Sequence, residues 1–156
     1  MPPERCYFIG GPRENFDTAD RARAFLASLE SRGVHNGARM KFGEYSVDWG
    51  HTAGAELLKG RGRECIGVLA ANDEIAYGVL LAAQDAGADV PRDLRLIGFD
   101  DTRLASLVRP QISSVRVPMS DVGSEAVRLL VQRINDPDLS AQTVRLATRL
   151  IVRQSS

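Results

Sequence analysis

The sequence is short of several residue types, and each shortage excludes something. It holds 2 cysteines in 156 residues. Cys6 and Cys65 form no C-x-x-C pair and no Cys/His cluster at metal spacing, which excludes a disulfide scaffold and a zinc module. No metal or other cofactor is expected, and both thiols read as buried and reduced. Histidine is equally scarce: His35 and His51 stand alone in polar contexts and read as solvated surface groups. There is no excess charge of either sign, because 20 Lys and Arg balance 20 Asp and Glu. A broad basic face that neutralises phosphates is therefore excluded. No apolar run reaches the ~20 residues that cross a bilayer. The start, Met1-Pro2-Pro3-Glu4-Arg5 before Cys6-Tyr7-Phe8-Ile9, lacks the apolar stretch and cleavage site of a signal peptide. A cytoplasmic protein without membrane contact is expected.

What is present is the composition of a soluble globular domain, 44% hydrophobic and 26% charged. A chain of this length buries close to ~70% of its unfolded surface and needs no staple to fold. Short β-rich runs alternate with longer amphipathic stretches. Strands are expected over residues 6–9, 38–45, 65–70, 94–99, 112–117 and 144–152. The third is almost wholly apolar, as a central parallel strand covered on both faces should be. Helices are expected after Asp17 or Thr18 with apolar positions Ala19, Ala22, Phe25, Leu26 and Leu29, then through Ala53, Leu57 and Leu58. Asn72 caps another, and Pro118 opens the last, where its missing N–H costs nothing. Gly33, Gly87 and Asp136-Pro137 mark helix ends. Such repetition means an α/β fold: a mostly parallel open sheet with helices on both faces.

Ligands of open α/β sheets bind outside the carboxyl ends of the strands. Around those ends stand Asn15, Asp17 and Arg21 after the first strand, and Asp48 and Trp49 after the second. Asn72 and Asp73 follow the third, and Asp100 and Asp101 the fourth. A guanidinium fork, an indole face, a carboxamide and a carboxylate on one rim suit a polyhydroxylated ligand. Each has a plainer alternative. Asn72 serves as an N-cap, Asp100 as a turn cap, Trp49 as a core plug and Arg21 as a solvated helix arginine. Asp73, in a first helical turn, reads mainly as structural. Adjacent loop residues point apart, so Asp100-Asp101 is no acid pair. Gly10-Gly11-Pro12 is not a dinucleotide turn, and neither a phosphate loop nor a nucleophile elbow occurs. No catalytic constellation emerges, and no enzyme is expected.

Three blocks carry a resemblance. They are Val68-Leu69-Ala70-Ala71-Asn72-Asp73-Glu74-Ile75-Ala76-Tyr77-Gly78, Gly87-Ala88-Asp89-Val90-Pro91-Arg92-Asp93-Leu94 and Leu96-Ile97-Gly98-Phe99-Asp100-Asp101. Supporting them are Gly11-Pro12 with Arg21, Asp48-Trp49, Ser113-Ser114-Val115-Arg116 before Pro118, and the closing Leu150 to Ser156. In order and spacing the chain resembles the effector-binding domain of LacI/GalR-family transcriptional regulators. The resemblance implies a three-layer, periplasmic-binding-protein-like fold. Effector binding between two subdomains would then alter the operator affinity of a dimer. It implies that Arg21, Trp49, Asn72 and Asp100 contact the effector, with Asn15 and Asp17 as further contacts. Asn at position 72 points to a sugar or sugar derivative rather than a purine. Val117 departs from a polar residue common in the family.

The resemblance also implies a division of the chain. Residues 4–112 would be the C-terminal effector-binding subdomain, 113–142 a crossover strand and helix belonging to the other subdomain, and 143–156 the return strand. The helix-turn-helix that reads operator DNA has no counterpart here, so DNA is a partner only through a part outside this sequence. The stripe Val122, Ala126, Leu129 and Leu130 then lacks a sheet to pack on, and a dimer or swapped arrangement is expected to cover it. The helix after Asn72 shows two apolar stripes, Ile75, Val79, Ala82 and Ala86, and Tyr77, Leu80 and Leu81. The second is expected at a homodimer interface, the alternative being that both stripes are covered within the chain's own layers. Two other readings are a transport-linked sugar-binding protein and a small α/β enzyme using Asp100 and Arg21.

Overall fold

The structure is a computed structural model that describes residues 2–35, 39–60, 62 and 64–156. The chain runs β1 (Cys6–Gly10), α1 (Phe16–Glu30), β2 (Met40–Phe42), α2 (Val47–Gly60), β3 (Ile66–Ala70) and α3 (Asp73–Asp85). It continues through β4 (Leu94–Asp100), α4 (Arg103–Leu107), β5 (Ser113–Arg116), α5 (Met119–Asn135) and β6 (Arg149–Ile151). The described strands form one six-stranded sheet in the order β2-β1-β3-β4-β5-β6. Each neighbouring pair is parallel except β5 and β6.

Pleat alternation divides the sheet into two faces. Phe8, Leu69 and Ile97 lie side by side in register and point toward α1, where the Phe8 and Phe25 rings sit 5.8 Å apart. Val68, Leu96 and Ser114 alternate to the opposite face under α3, where Gly98 lets Asp73 press onto the strand. The three-layer α/β architecture expected from the sequence is thus present. The α3 face is the drier one: Ile66, Val68, Leu94 and Leu96 are buried, while Leu69, Ile97, Phe99 and Val115 on the other face are half-buried.

α2 packs directly on α3 because glycine removes the side chains between them. A Cβ on Gly78 would lie 2.1 Å from the Val47 carbonyl oxygen, and one on Gly50 would lie 2.2 Å from that of Ile75. Burial along α3 corrects one expectation. Leu80 is 1% exposed and belongs to the chain's own core, so it offers no surface to a partner. Tyr77 and Leu81 stay half-buried, and Ala86 is exposed.

Other boundaries shift for local reasons. Asn15, not Asp17 or Thr18, caps α1: its side chain accepts from the Thr18 N–H at 3.1 Å. β2 is three residues long, and position 38, where a strand was expected to begin, lies outside the described residues. Val47, Asp48 and Trp49 belong to the first turn of α2 rather than to a preceding loop. α4 occupies a stretch that reads as turn-rich, too short to show periodicity. The final strand contracts to Arg149–Ile151. Ser113–Arg116 is the fifth strand of the sheet, so the chain leaves it only at Val117. Cys6 and Cys65 are free but half-buried, and burial pushes the Cys6 thiol pKa up. His51 is half-buried and meets Asp85 across the α2–α3 contact at 2.8 Å. Among the described residues no helix is long and apolar enough to cross a membrane.

Candidate functional site

After β2 the chain reverses direction across the sheet, so β1 and β3 flank a switch point at their carboxyl ends. Crevices of doubly wound sheets open at such points. Arg21 reaches across it. It projects from the second turn of α1, and its Nη1 donates to the Ala71 carbonyl oxygen at 2.6 Å. Its guanidinium carbon stands 3.8 Å from the centroid of the Phe99 ring, a cation–π contact. Asp100 and Asp17 carboxylate oxygens lie 3.7 and 3.9 Å from its Nη2. The head group is thereby fixed from α1, from β4 and from just past the end of β3 while its side chain remains 19% exposed.

Asp100 ends β4 with a φ of +94°. Backbone in that region is unfavourable for a side-chain-bearing residue, by about 1–3 kcal/mol, and often marks a functional position. Its carboxyl pKa is pushed up by burial, against the opposing pull of Arg21. Asp17, Arg21, Asp100, Asp101, Thr102, Arg116, Val117 and Met119 surround an open cleft of about 760 Å³. Three expected site residues, Asp17, Arg21 and Asp100, therefore meet in one place.

The other three stand beside it with partners of their own. Asn72 caps α3, its carboxamide oxygen accepting from the Ile75 N–H at 2.9 Å. It follows Ala71, the residue that anchors Arg21. Trp49 donates its indole N–H to the Gly10 carbonyl oxygen at 2.8 Å, and its ring lies over Gly43. It is half-buried, intermediate between a core plug and a free platform. Asn15 accepts at 3.2 Å from the Tyr45 hydroxyl, which also bonds Thr18 Oγ1 at 2.6 Å. Tyr45 covers Gly11 so closely that a Cβ there would lie 2.6 Å from its ring. Tyr45 and Trp49 together wall the end of β1, and sequence reasoning singled out only the tryptophan. The missed signal is an aromatic four residues earlier, just beyond a strand end.

Beneath the rim lies a polar layer. Asp73 is 1% exposed and accepts from Ser114 Oγ, the Thr102 N–H and Thr102 Oγ1 at 2.6, 2.6 and 2.9 Å. Burial raises its pKa, and the three donors restrain that rise only in part. Its role is structural, as expected, though it acts by joining α3 to β5 and the β4 loop rather than through the helix dipole. Asp101 turns away from Asp100 to bond Arg116 Nε at 2.5 Å and Arg153 Nη2 at 2.6 Å. Among the described residues no group of three or more His, Cys, Asp or Glu is placed to hold a metal ion.

Such a rim of alternating guanidinium, carboxylate and carboxamide groups with aromatic walls can hold vicinal hydroxyls and stack on a ring. Comparison with known proteins gives this geometry a context. Residues 4–156 match the family of periplasmic binding protein-like domains. Catabolite control protein A of Priestia megaterium is 36% identical over 151 residues, covering 96% of this chain and 45% of that protein. The transcriptional regulator CelR, solved as a cellobiose complex, superposes with a TM-score of 0.89 at 29% identity, covering 98% of this chain and 47% of that one. A LacI-family regulatory protein from Chloroflexus aggregans gives 0.90 at 26% identity, covering 97% and 55%. The chain spans about half the length of the relatives it matches.

Proposed function

Since the chain belongs to the LacI family of transcriptional regulators, within their periplasmic-binding-protein-like domain, we propose that it is the effector-sensing half of such a regulator, binds a sugar or sugar derivative, and does no catalysis. One observation carries the reading: Arg21 is clamped at the switch point with Asp17 and Asp100 within 4 Å of it, facing an open cleft. Arg21, Asp100 and Asp17 hydrogen-bond the ligand's hydroxyls, Trp49 stacks on its ring, and Asn72 and Asn15 add contacts at the edge. The cellobiose held by CelR supports the sugar class.

In this reading residues 4–112 with β5 form one lobe of the sensor, residues 117–142 cross toward a second lobe, and 143–156 return. The regulator works in the cytoplasm, meets operator DNA through a part outside this sequence, and is a homodimer. Tyr77 and Leu81, half-buried on α3, contribute to the interface. A dimer or swapped arrangement covers α5, whose Val122, Leu130 and Ile134 are 41%, 60% and 68% exposed. A monomer in sedimentation at micromolar concentration, with α5 ordered, would overturn that part.

One lobe clamps a ligand from one side only, so affinity in the millimolar range is expected, near −4 kcal/mol. A thermal-shift screen of cellobiose and simple sugars against purines and phosphorylated metabolites tests the reading. Stabilisation by a sugar, lost in Arg21→Ala, supports it. Stabilisation by purines or phosphorylated metabolites alone contradicts it.

A further inference from the structure

Asp101, in the polar layer beneath the rim, has a side chain almost wholly withdrawn from water, at 3% exposure. It follows Asp100 directly, and its own φ of +55° turns its side chain the other way. Oδ2 accepts from Arg116 Nε at 2.5 Å and Oδ1 from Arg153 Nη2 at 2.6 Å. These two arginines mark the two passages of the chain between the sheet and α5. Arg116 is the last residue of β5 before the chain departs, and Arg153 follows β6 just after it returns. Arg153 is fixed further, its Nη1 donating to the Ile112 carbonyl oxygen and its backbone N–H to Ser113 Oγ, both at 2.8 Å. The Asp101 N–H donates to Ser114 Oγ at 3.0 Å, and that hydroxyl donates to Asp73.

An exposed ion pair would mean little here. A desolvated carboxylate shared by two guanidinia is a strong and directional link. The two passages are also held to the sheet, the outgoing one as β5 paired with β4 and the returning one through Ser155, whose hydroxyl donates to the Leu96 carbonyl oxygen at 2.6 Å, but Asp101 is what joins both of them to the loop after Asp100.

We infer that Asp101 is a positioning residue, which fastens the outgoing and returning passages to the loop that carries Asp100. A ligand that shifts Asp100 moves both passages, and with them α5, through one peptide unit. The inference rests on the reading of Asp100 as a ligand contact only for this transmission. The fastening itself does not depend on it.

Amide hydrogen exchange on the whole chain tests it, with Asp101→Asn as the main variant. Asparagine tolerates the left-handed backbone, so the charge is removed without straining the turn. Exchange at 113–117 and 149–153 is expected to rise about tenfold, with β1 and β3 unchanged. Arg153→Gln should show the same pattern, and the double variant should be no worse than either single one. Exchange at the passages within twofold of the parent, or a rise of equal size throughout the sheet, overturns the inference. Cellobiose serves as the ligand probe. Protection at both 100–102 and 149–153 in the parent, but only at 100–102 in Asp101→Asn, supports transmission. Equal protection at 149–153 in both proteins overturns it. If cellobiose changes neither protein, transmission of a cellobiose signal is overturned, and the variant's own exchange still decides the fastening.

Discussion

α3 and α5 are both helices of ordinary length with apolar stripes, two along α3 and one along α5, yet they end in opposite surroundings. Along α3, eight of 13 residues are buried, among them the acidic Asp73. Along α5, none of 17 is buried. The sequences alone do not announce this. A hydrophobic stripe says that a surface is to be covered; it does not say by what. The distinguishing residues are the small ones. Gly78 on α3 meets Gly50 on α2, and Gly54 on α2 lies against Val79 on α3, permitting backbone-to-backbone approach, whereas Gly123 on α5 faces open space. α3 was shaped to be enclosed by its own chain, and α5 to meet something beyond it.

Substitutions sharpen this contrast. Ile75→Ala on α3 should cost about 3 kcal/mol, since Ile75 is fully buried and its neighbours cannot collapse into the gap. Urea denaturation would measure it, and a loss comparable to a surface change would remove the contrast. Gly78→Ala should cost about 2 kcal/mol by forcing α2 from α3. Asp101→Asn should cost about 1 kcal/mol near neutral pH, and the loss should depend on pH. Burial pushes the Asp101 carboxyl up, but the Arg153 and Arg116 hydrogen bonds outweigh it and hold its pKa below the ordinary carboxylate range. A group so depressed contributes stability above its unfolded pKa and loses it as pH falls through the folded one. The gap between parent and variant should therefore be full at neutral pH and close in acid; a gap independent of pH would deny the charge a role. Leu130→Ala on α5 should change unfolding by under ~0.5 kcal/mol in the dilute, unassociated chain, because Leu130 is 60% exposed there. Its cost should grow with protein concentration as the proposed dimer covers α5, and a small cost at every concentration would deny that cover.

Much of this was legible in the sequence where one residue settles a local choice. Asn72 and Gly87 bracket α3, and the apolar 65–70 run reads as a central strand. Arg21, Asp17 and Asp100 were found because strand ends are where open sheets bind ligands. Less legible were features that depend on distant partners. The start of α1 depends on Asn15, whose oxygen also serves Tyr45. Leu80 reads as interface until it is found among the buried core residues of its own chain. Asp101 and Asp73 are carboxylates like any other until Arg116, Arg153, Thr102 and Ser114 are brought to them by strand pairing.

In the proposed reading the rim around Arg21 and Asp100 holds a sugar. Trp49 is the only tryptophan in the sequence, and its indole N–H rests on Gly10 at the end of β1, so its fluorescence reports on that rim directly. Titration with cellobiose should shift Trp49 emission saturably in the parent chain and leave Arg21→Ala unchanged. A purine that shifts the emission while no sugar does, or a sugar response that survives Arg21→Ala undiminished, would contradict the account.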